Sequence, residues 1–255
     1  MRNVPTPRSQ RLNPPWFVFL FGLLLITQGC QTSSVESIAT ASYYQNPALL
    51  ARAWRQPVAA TYRDHFEYQI NGAFCGPATV INLFRSLDFE SYTQDSLFER
   101  SDIGYWKARA KGLTLDELAQ LIRANADLEV TVLRDLTLEE FRVHLRRAND
   151  PADRYLINFN RQPLFGVQVG HHSPLGGYLP DADLVFVLDV LERYQPFLVP
   201  AARLHEAIDT VDAETGQKRG LLLVRTVTRP VRIPPISRPP PVTGVSAFSA
   251  MIAGE

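Results

Sequence analysis

Cysteine is nearly missing from this chain of 255 residues, which has only Cys30 and Cys75. Two cysteines rule out the dense disulfide framework that holds many small exported domains together, so the fold must rest on a hydrophobic core. Lysine is scarce as well: most of the basic residues are arginine, and the formal net charge is zero. That balance excludes a diffuse basic surface, and no nucleic-acid partner is expected. Arginine suits point recognition of carboxylates instead. Internal repeats are also lacking, which excludes a stacked-repeat architecture. What remains, 45% hydrophobic and 20% charged residues, is ordinary globular composition, long enough for one sizeable domain or two small ones.

The first thirty residues differ from the rest. Arg2, Arg8 and Arg11 precede an apolar run from Trp16 to Ile26, which ends in Thr27-Gln28-Gly29-Cys30. The run is shorter than the roughly 20 residues a spanning helix needs. The pattern resembles a bacterial lipoprotein signal, in which the cysteine becomes the acylated first residue of the mature chain. Residues 1–29 are therefore expected to be a signal segment, Cys30 the lipidation site and 30–41 a tether, with an uncleaved N-terminal anchor as the alternative. Either way the expected location is the bacterial periplasm, held to the membrane. Without the three arginines the chain is slightly acidic. If Cys30 carries lipid, Cys75 has no disulfide partner, and a free thiol in an oxidising compartment is a liability unless it has a task.

Hydrophobic periodicity predicts helices at about 46–54, 75–87, 114–125, 137–148 and 201–209, and strands near 128–133, 154–159, 183–190 and 220–227, a mixture of helix and sheet. Thr114 with Glu117, and Thr137 with Glu140, have the Thr-x-x-Glu spacing of a capping box, which starts a helix by satisfying its orphan N–H groups. From Arg229 the character changes: Pro230, Pro234, Pro235, Pro239, Pro240 and Pro241 punctuate a segment without periodicity. Residues 229–255 are expected to form an extended or disordered tail, leaving 42–228 as the folded domain.

The segment Phe74-Cys75-Gly76-Pro77-Ala78-Thr79 puts the lone thiol at a helix start, where free N–H groups and the positive end of the peptide dipole favour thiolate over thiol. Pro77 falls in the first turn, where its missing N–H does no harm. The bland alternative is a small buried hydrophobe. A nucleophile needs a base, and His65, His144 and His205 sit among charged residues or on a helix surface. Gly170-His171-His172-Ser173-Pro174 differs, as a histidine pair flanked by glycines in a segment leading to the buried strand. That strand carries Asp189 after five apolar residues, and a buried acid needs a partner such as an imidazolium. A Cys/His/Asp set for acyl transfer follows. No metal site is expected, since adjacent histidines point apart in a strand and no further His/Cys cluster exists.

Phe-Cys-Gly-Pro-Ala-Thr, Gly-His-His-Ser-Pro-Leu-Gly-Gly-Tyr, Val-Leu-Asp-Val, Glu206 through Asp212 with Gly216 through Gly220, Tyr92-Thr93-Gln94-Asp95-Ser96-Leu97-Phe98 and Gly112 through Leu118 together resemble the phytochelatin synthase family. The motifs occur in the same order and with similar spacing, over roughly residues 65–227. The resemblance implies an α+β, papain-like cysteine peptidase fold, with the helix carrying the nucleophile packed on an antiparallel sheet. It implies cleavage of glycine from glutathione through a γ-glutamylcysteinyl thioester. By motif position Cys75 is then the nucleophile, His171 rather than His172 the general base, Asp189 the orienting acid and Gln69 an oxyanion donor. Such a donor is worth on the order of 3 kcal/mol in comparable enzymes. Arg161, Asp212, Arg219 and Arg193 match positions that contact substrate in the family.

Plant-type members continue into a cysteine-rich C-terminal region, whereas this chain ends in a proline-rich tail. Hydrolysis to γ-glutamylcysteine is therefore the expected main reaction, with phytochelatin synthesis minor. No protein-bound cofactor is expected, and a heavy-metal ion enters only as a thiolate complex of the substrate. The oligomeric state, a dimer included, is left open. Two other readings keep the same residues: a papain-like peptidase acting on Gly-Gly leader peptides, and a non-catalytic lipoprotein that uses the fold for binding.

Overall fold

Both capping boxes start helices where the sequence puts them. Thr114 Oγ1 accepts from the Glu117 N–H at 3.2 Å while Glu117 Oε2 accepts from the Thr114 N–H at 2.9 Å. Thr137 and Glu140 repeat the exchange at 3.2 and 2.8 Å. In chain order the elements are α1 Pro47–Ala53, α2 Pro57–Tyr62, α3 Cys75–Arg85, α4 Tyr105–Lys111, α5 Leu115–Asn125, β1 Leu128–Leu133, α6 Leu138–Arg147, β2 Arg154–Asn160, α7 Gln162–Phe165, β3 Gly170–Leu179, β4 Leu184–Val187, β5 Phe197–Pro200, α8 Ala201–Ile208 and β6 Gly220–Thr226.

These come from a computed structural model that describes residues 36–89 and 92–227. The signal segment, Cys30 and the proline-rich tail lie outside the described residues. Of the expected tether, residues 36–41 are described, and they already belong to the fold: Ile38, in a 3-10 turn, is buried in the main core.

The strands form one sheet in the order β1-β6-β2-β3-β4-β5, with every neighbouring pair antiparallel. Alternation along the central strands divides the core into two layers. Leu156, Leu222 and Val224 face α3 and α5, where they meet Val80, Ile81, Leu118 and Ile122. Tyr155, Ile157, Phe159, Leu221 and Leu223 face the other way, onto Phe141 and Leu145 of α6 and Leu204 of α8. Covered on both sides, β2 is buried along its whole length. The helices α1 and α2 close the β3–β5 end, α1 through Ala53 and α2 through Val58, Ala59 and Tyr62. Where β6 enters beside β1, a Cβ on Gly220 would lie 2.1 Å from the Leu133 carbonyl oxygen, so only glycine permits that approach. The result is the α+β arrangement that the motifs imply, with α3 packed against β3.

Two expectations change. The histidine pair lies within the ten-residue strand β3 rather than in a connecting segment. The strand expected over 183–190 ends at Val187, so Asp189 sits just beyond it, in the turn leading to β5. Both shifts matter to the site, because β3 and this turn bring His171 and Asp189 together.

Candidate active site

Cys75 occupies the first position of α3, a helix buried from Cys75 to Phe84. No side chain caps the helix, so its leading N–H groups keep their donors for a ligand. Asn71 shapes the approach: its Oδ1 accepts from the Ala73 N–H at 2.9 Å, and its carbonyl accepts from the Phe74 N–H at 3.2 Å. Deep in the same helix, Asn82 exchanges hydrogen bonds with the Glu67 backbone at 2.8 Å each way, tying the chain before Cys75 to the helix that bears it.

His171 lies on β3 opposite Phe159 of β2, whose ring meets it edge-on at 5.5 Å. Its Nε2 is 2.9 Å from Asp189 Oδ1, a close contact that is angled rather than well aligned. That leaves Nδ1, the ring's other nitrogen, for Cys75. Asp189 is fully buried, and three donors surround it: the His171 ring, the Leu191 N–H at 2.8 Å, and Arg161 Nη2 at 2.9 and 2.7 Å from its two oxygens.

The electrostatics follow from this packing. Burial by itself pushes the Cys75 thiol up, but the positive His171 ring, its hydrogen bond, the His172 backbone N–H and the Arg161 charge more than offset it, so the pKa falls below that of an ordinary thiol. Burial opposes a charge on His171, and Asp189 outweighs it, so the imidazole pKa is raised. Burial likewise opposes the Asp189 charge, and His171 with Arg161 holds the carboxyl below the usual range. Cys75, His171, Asp189 and Arg161 thus form an alternating row of charges that sums to zero, the condition under which buried ions are tolerated.

His172 is a different kind of group. Its Nε2 lies 2.8 Å from the Leu113 carbonyl, and burial, with the His171 and Arg219 charges, pushes its pKa down to about 4. It is a neutral strut between β3 and the α4–α5 connection. The other three histidines are away from the thiol; His144 pairs with Tyr155 and His205 with the Leu136 carbonyl.

Beside Cys75 opens a cleft of about 610 Å³. Asp212 and Arg219 line it, with Arg219 Nη1 3.0 Å from Asp212 Oδ2 and 2.9 Å from Asn158 Oδ1. A Cβ on Gly170 would come within 2.6 Å of the same guanidinium, so glycine leaves room for it. A second cleft of about 560 Å³, beside Phe66, Phe84 and Tyr92, contains none of the expected site residues, so volume alone does not locate the chemistry.

Two of the expected substrate contacts must be corrected. Arg161 is 1% exposed and does not reach the cleft: it is held behind Asp189, 3.8 Å over the Tyr194 ring and 5.5 Å from those of Phe159 and Phe165. Its charge is used to neutralise the buried acid. Arg193 donates to the Tyr194 hydroxyl at 2.8 Å, lies over that ring and is absent from the cleft wall. Gln69 stands before the helix as expected, and its Nε2 donates to the Asn71 carbonyl at 2.7 Å, leaving the second amide proton to give. Asn158 stands in no motif and Leu113 only inside the Gly112–Leu118 one; each acts by holding Arg219 or His172, a contact that no local pattern announces.

Comparison with known proteins narrows the reading. The chain is 29% identical over 178 residues to glutathione γ-glutamylcysteinyltransferase 3 of Lotus japonicus, covering 65% of this chain and 37% of that protein. It is 30% identical over 173 residues to the corresponding transferase 1 of Triticum aestivum, covering 63% and 34%. A fission-yeast transferase, from Schizosaccharomyces pombe, is 27% identical over 63% of this chain and 42% of its own length. The chain thus spans little more than a third of the length of the first two relatives. Among solved structures, the peptidase domain of Streptococcus ComA, a bifunctional ABC transporter, matches 64% of this chain and all of its own at 14% identity and a TM-score of 0.44. The family model for phytochelatin synthase matches residues 32–221, three quarters of the chain and all of the site just described, and the chain belongs to that family.

Proposed function

We propose that this protein is a thiol acyl-transfer enzyme that removes glycine from glutathione through a γ-glutamylcysteinyl thioester on Cys75. The observation that carries the proposal is the buried Cys75–His171–Asp189 row, opening beside the Asp212–Arg219 pair in one cleft. The Cys75 thiolate attacks the carbonyl of the Cys–Gly amide and forms the C–S bond. The oxyanion is met by the Cys75 backbone N–H and the free proton of the Gln69 amide. As the intermediate collapses, the C–N bond breaks and the His171 imidazolium gives its proton to the departing glycine nitrogen. Water, deprotonated by His171, then attacks the thioester, releasing γ-glutamylcysteine and restoring the thiolate. A second glutathione in place of water extends the peptide as the minor outcome. At the far end of the acyl group, Arg219 suits the α-carboxylate of the γ-glutamyl unit and Asp212 its ammonium.

Mass spectrometry of products from glutathione, with and without cadmium or zinc, tests this. Glycine and γ-glutamylcysteine are expected as the main products, with release abolished in Cys75→Ala; equal release from that variant overturns the assignment. A metal ion enters as a thiolate complex of the peptide, so any effect of metal should follow the concentration of that complex. The N-terminal pattern supports a periplasmic, membrane-held enzyme, anchored by lipid on Cys30 or by an uncleaved segment. Fractionation of the full chain and of Cys30→Ala separates the two, since only a lipid anchor is lost with Cys30.

A further inference from the structure

The motif Tyr92-Thr93-Gln94-Asp95-Ser96 has no part in the chemistry just described, yet Gln94 is a buried polar side chain, 1% exposed. Its amide reaches across to the chain ahead of α3. Nε2 donates to the Tyr68 carbonyl at 2.9 Å, and Oε1 accepts from the Ile70 N–H at 3.2 Å. In an extended backbone the carbonyl of one residue and the N–H two residues later point to the same side. One side-chain amide therefore holds that edge on both sides of Gln69, as a neighbouring strand would. The opposite edge is held too, since the Gln69 N–H donates to the Val190 carbonyl at 2.8 Å, in the turn that carries Asp189. A third bond, from Gln94 Nε2 to Glu67 Oε1 at 2.6 Å, fixes the amide orientation, because only a nitrogen can donate to that carboxylate.

We propose that Gln94 is a positioning residue for the oxyanion site: it clamps the backbone at Gln69 so that the Gln69 amide stays aimed at the developing charge. This rests on the reading of Gln69 as an oxyanion donor given above. A hydrogen-bond donor acts on the oxyanion only when placed to within a fraction of an ångström, and Gln69 sits on a segment between helices that has no strand partner of its own. Gln94 supplies the missing partner. Its hydrogen bonds go to Glu67, Tyr68 and Ile70 and it does not line the cleft, so its loss should slow acylation while leaving thiolate formation alone.

The test uses Gln94→Met, Gln69→Ala and the double variant, each checked for folding by thermal melting. Glycine release from glutathione gives kcat and KM. Acylation by p-nitrophenyl acetate, in which Cys75 Sγ bonds to the acetyl carbon and p-nitrophenolate leaves, reads the oxyanion site without glutathione. Methyl methanethiosulfonate, which has no carbonyl, titrates the thiolate against pH. Gln94→Met should lower kcat and the acylation rate by about 10²-fold, the effect of a misplaced catalytic group, with KM and the thiolate titration unchanged. The double variant should be no slower than Gln69→Ala alone. The proposal is overturned if the two losses multiply, if the titration moves with the rate, or if Gln94→Met acylates normally. If Gln94→Met does not fold, Gln94→Glu, which keeps the acceptor for the Ile70 N–H, is read by the same criteria. A wild type that acylates with the ester but releases no glycine would refute the glutathione reading, and the ester rates would still decide the role of Gln94.

Discussion

Replacing Arg161 by methionine separates two roles that the same side chain could have. In the structure it is a buried counter-ion: Nη2 lies 2.9 and 2.7 Å from the Asp189 oxygens, and the guanidinium stacks 3.8 Å over Tyr194. Removing one partner of such a pair leaves a carboxylate with no access to solvent, which typically destabilises by about 3–5 kcal/mol. Asp189 keeps the His171 contact and the Leu191 N–H, which argues for the lower end. The lost cation–π contact destabilises further, by about 0.5–2 kcal/mol. A loss of about 3.5–5 kcal/mol in urea unfolding at pH 7 is therefore expected for Arg161→Met.

The pH dependence has a definite sign. Asp189 titrates below its unfolded value, so its contribution is complete above that value, near 4, and is lost as the pH falls through the lower folded one. Without Arg161 the folded pKa rises, so the stability gap between wild type and variant is largest near neutral pH and narrows as Asp189 protonates in both. The Arg161 charge also holds the His171 and Cys75 pKa values down, so both limbs of the activity profile should move to higher pH. An unchanged unfolding midpoint with a raised KM would refute this account and restore Arg161 as a substrate contact.

Two further outcomes follow from the same geometry. Cys75 should alkylate with chloroacetamide well below the pH at which an ordinary thiol, pKa about 8.5, begins to react, and His171→Ala should move that titration upward; a wild-type profile like that of a free thiol contradicts the ion pair. Arg219→Met should raise KM for glutathione about 10- to 100-fold, as expected for loss of a charge-assisted hydrogen bond of about 1.5–3 kcal/mol, with the thiol titration little moved; a fall confined to kcat would place Arg219 in the chemistry instead of in binding.

Much of this was legible in the sequence because the responsible signals are local. The capping boxes marked two helices, alternation and apolar runs marked β1, β2 and β6, and the helix start at Cys75 followed from six consecutive residues. The strand β3 was not legible, because Gly-His-His-Ser-Pro is a poor strand by propensity. It is extended because β2 and β4 pair with it on both sides, a tertiary effect that overrides local preference. Short elements such as α2, α4 and β5 offer too few residues for a period to show. The position of Arg161 is illegible for a related reason: a motif fixes where a residue occurs along the chain, whereas its packing against Phe159, Phe165 and Tyr194 decides which way its charge points.

The strand β2 links these observations. Its first residue, Arg154, is buried and donates to the carbonyl and hydroxyl of Ser86, at the C-terminal end of α3. The residue just past its end, Arg161, neutralises Asp189. Seven residues of strand extend about 23 Å, enough to subtend the roughly 16 Å of an eleven-residue helix. One buried strand therefore sets a guanidinium at the C-terminal, negative end of α3 and another behind Asp189. The helix dipole is then matched at both ends, by Arg154 at one and by the Cys75 thiolate at the other. Burial of α3 by itself opposes the Cys75 charge, so the thiolate is held chiefly by the His171 ring and the His172 backbone, with Arg161 adding its charge. Because Arg161 stands at the end of β2, the packing of that strand also contributes to the lowered Cys75 pKa.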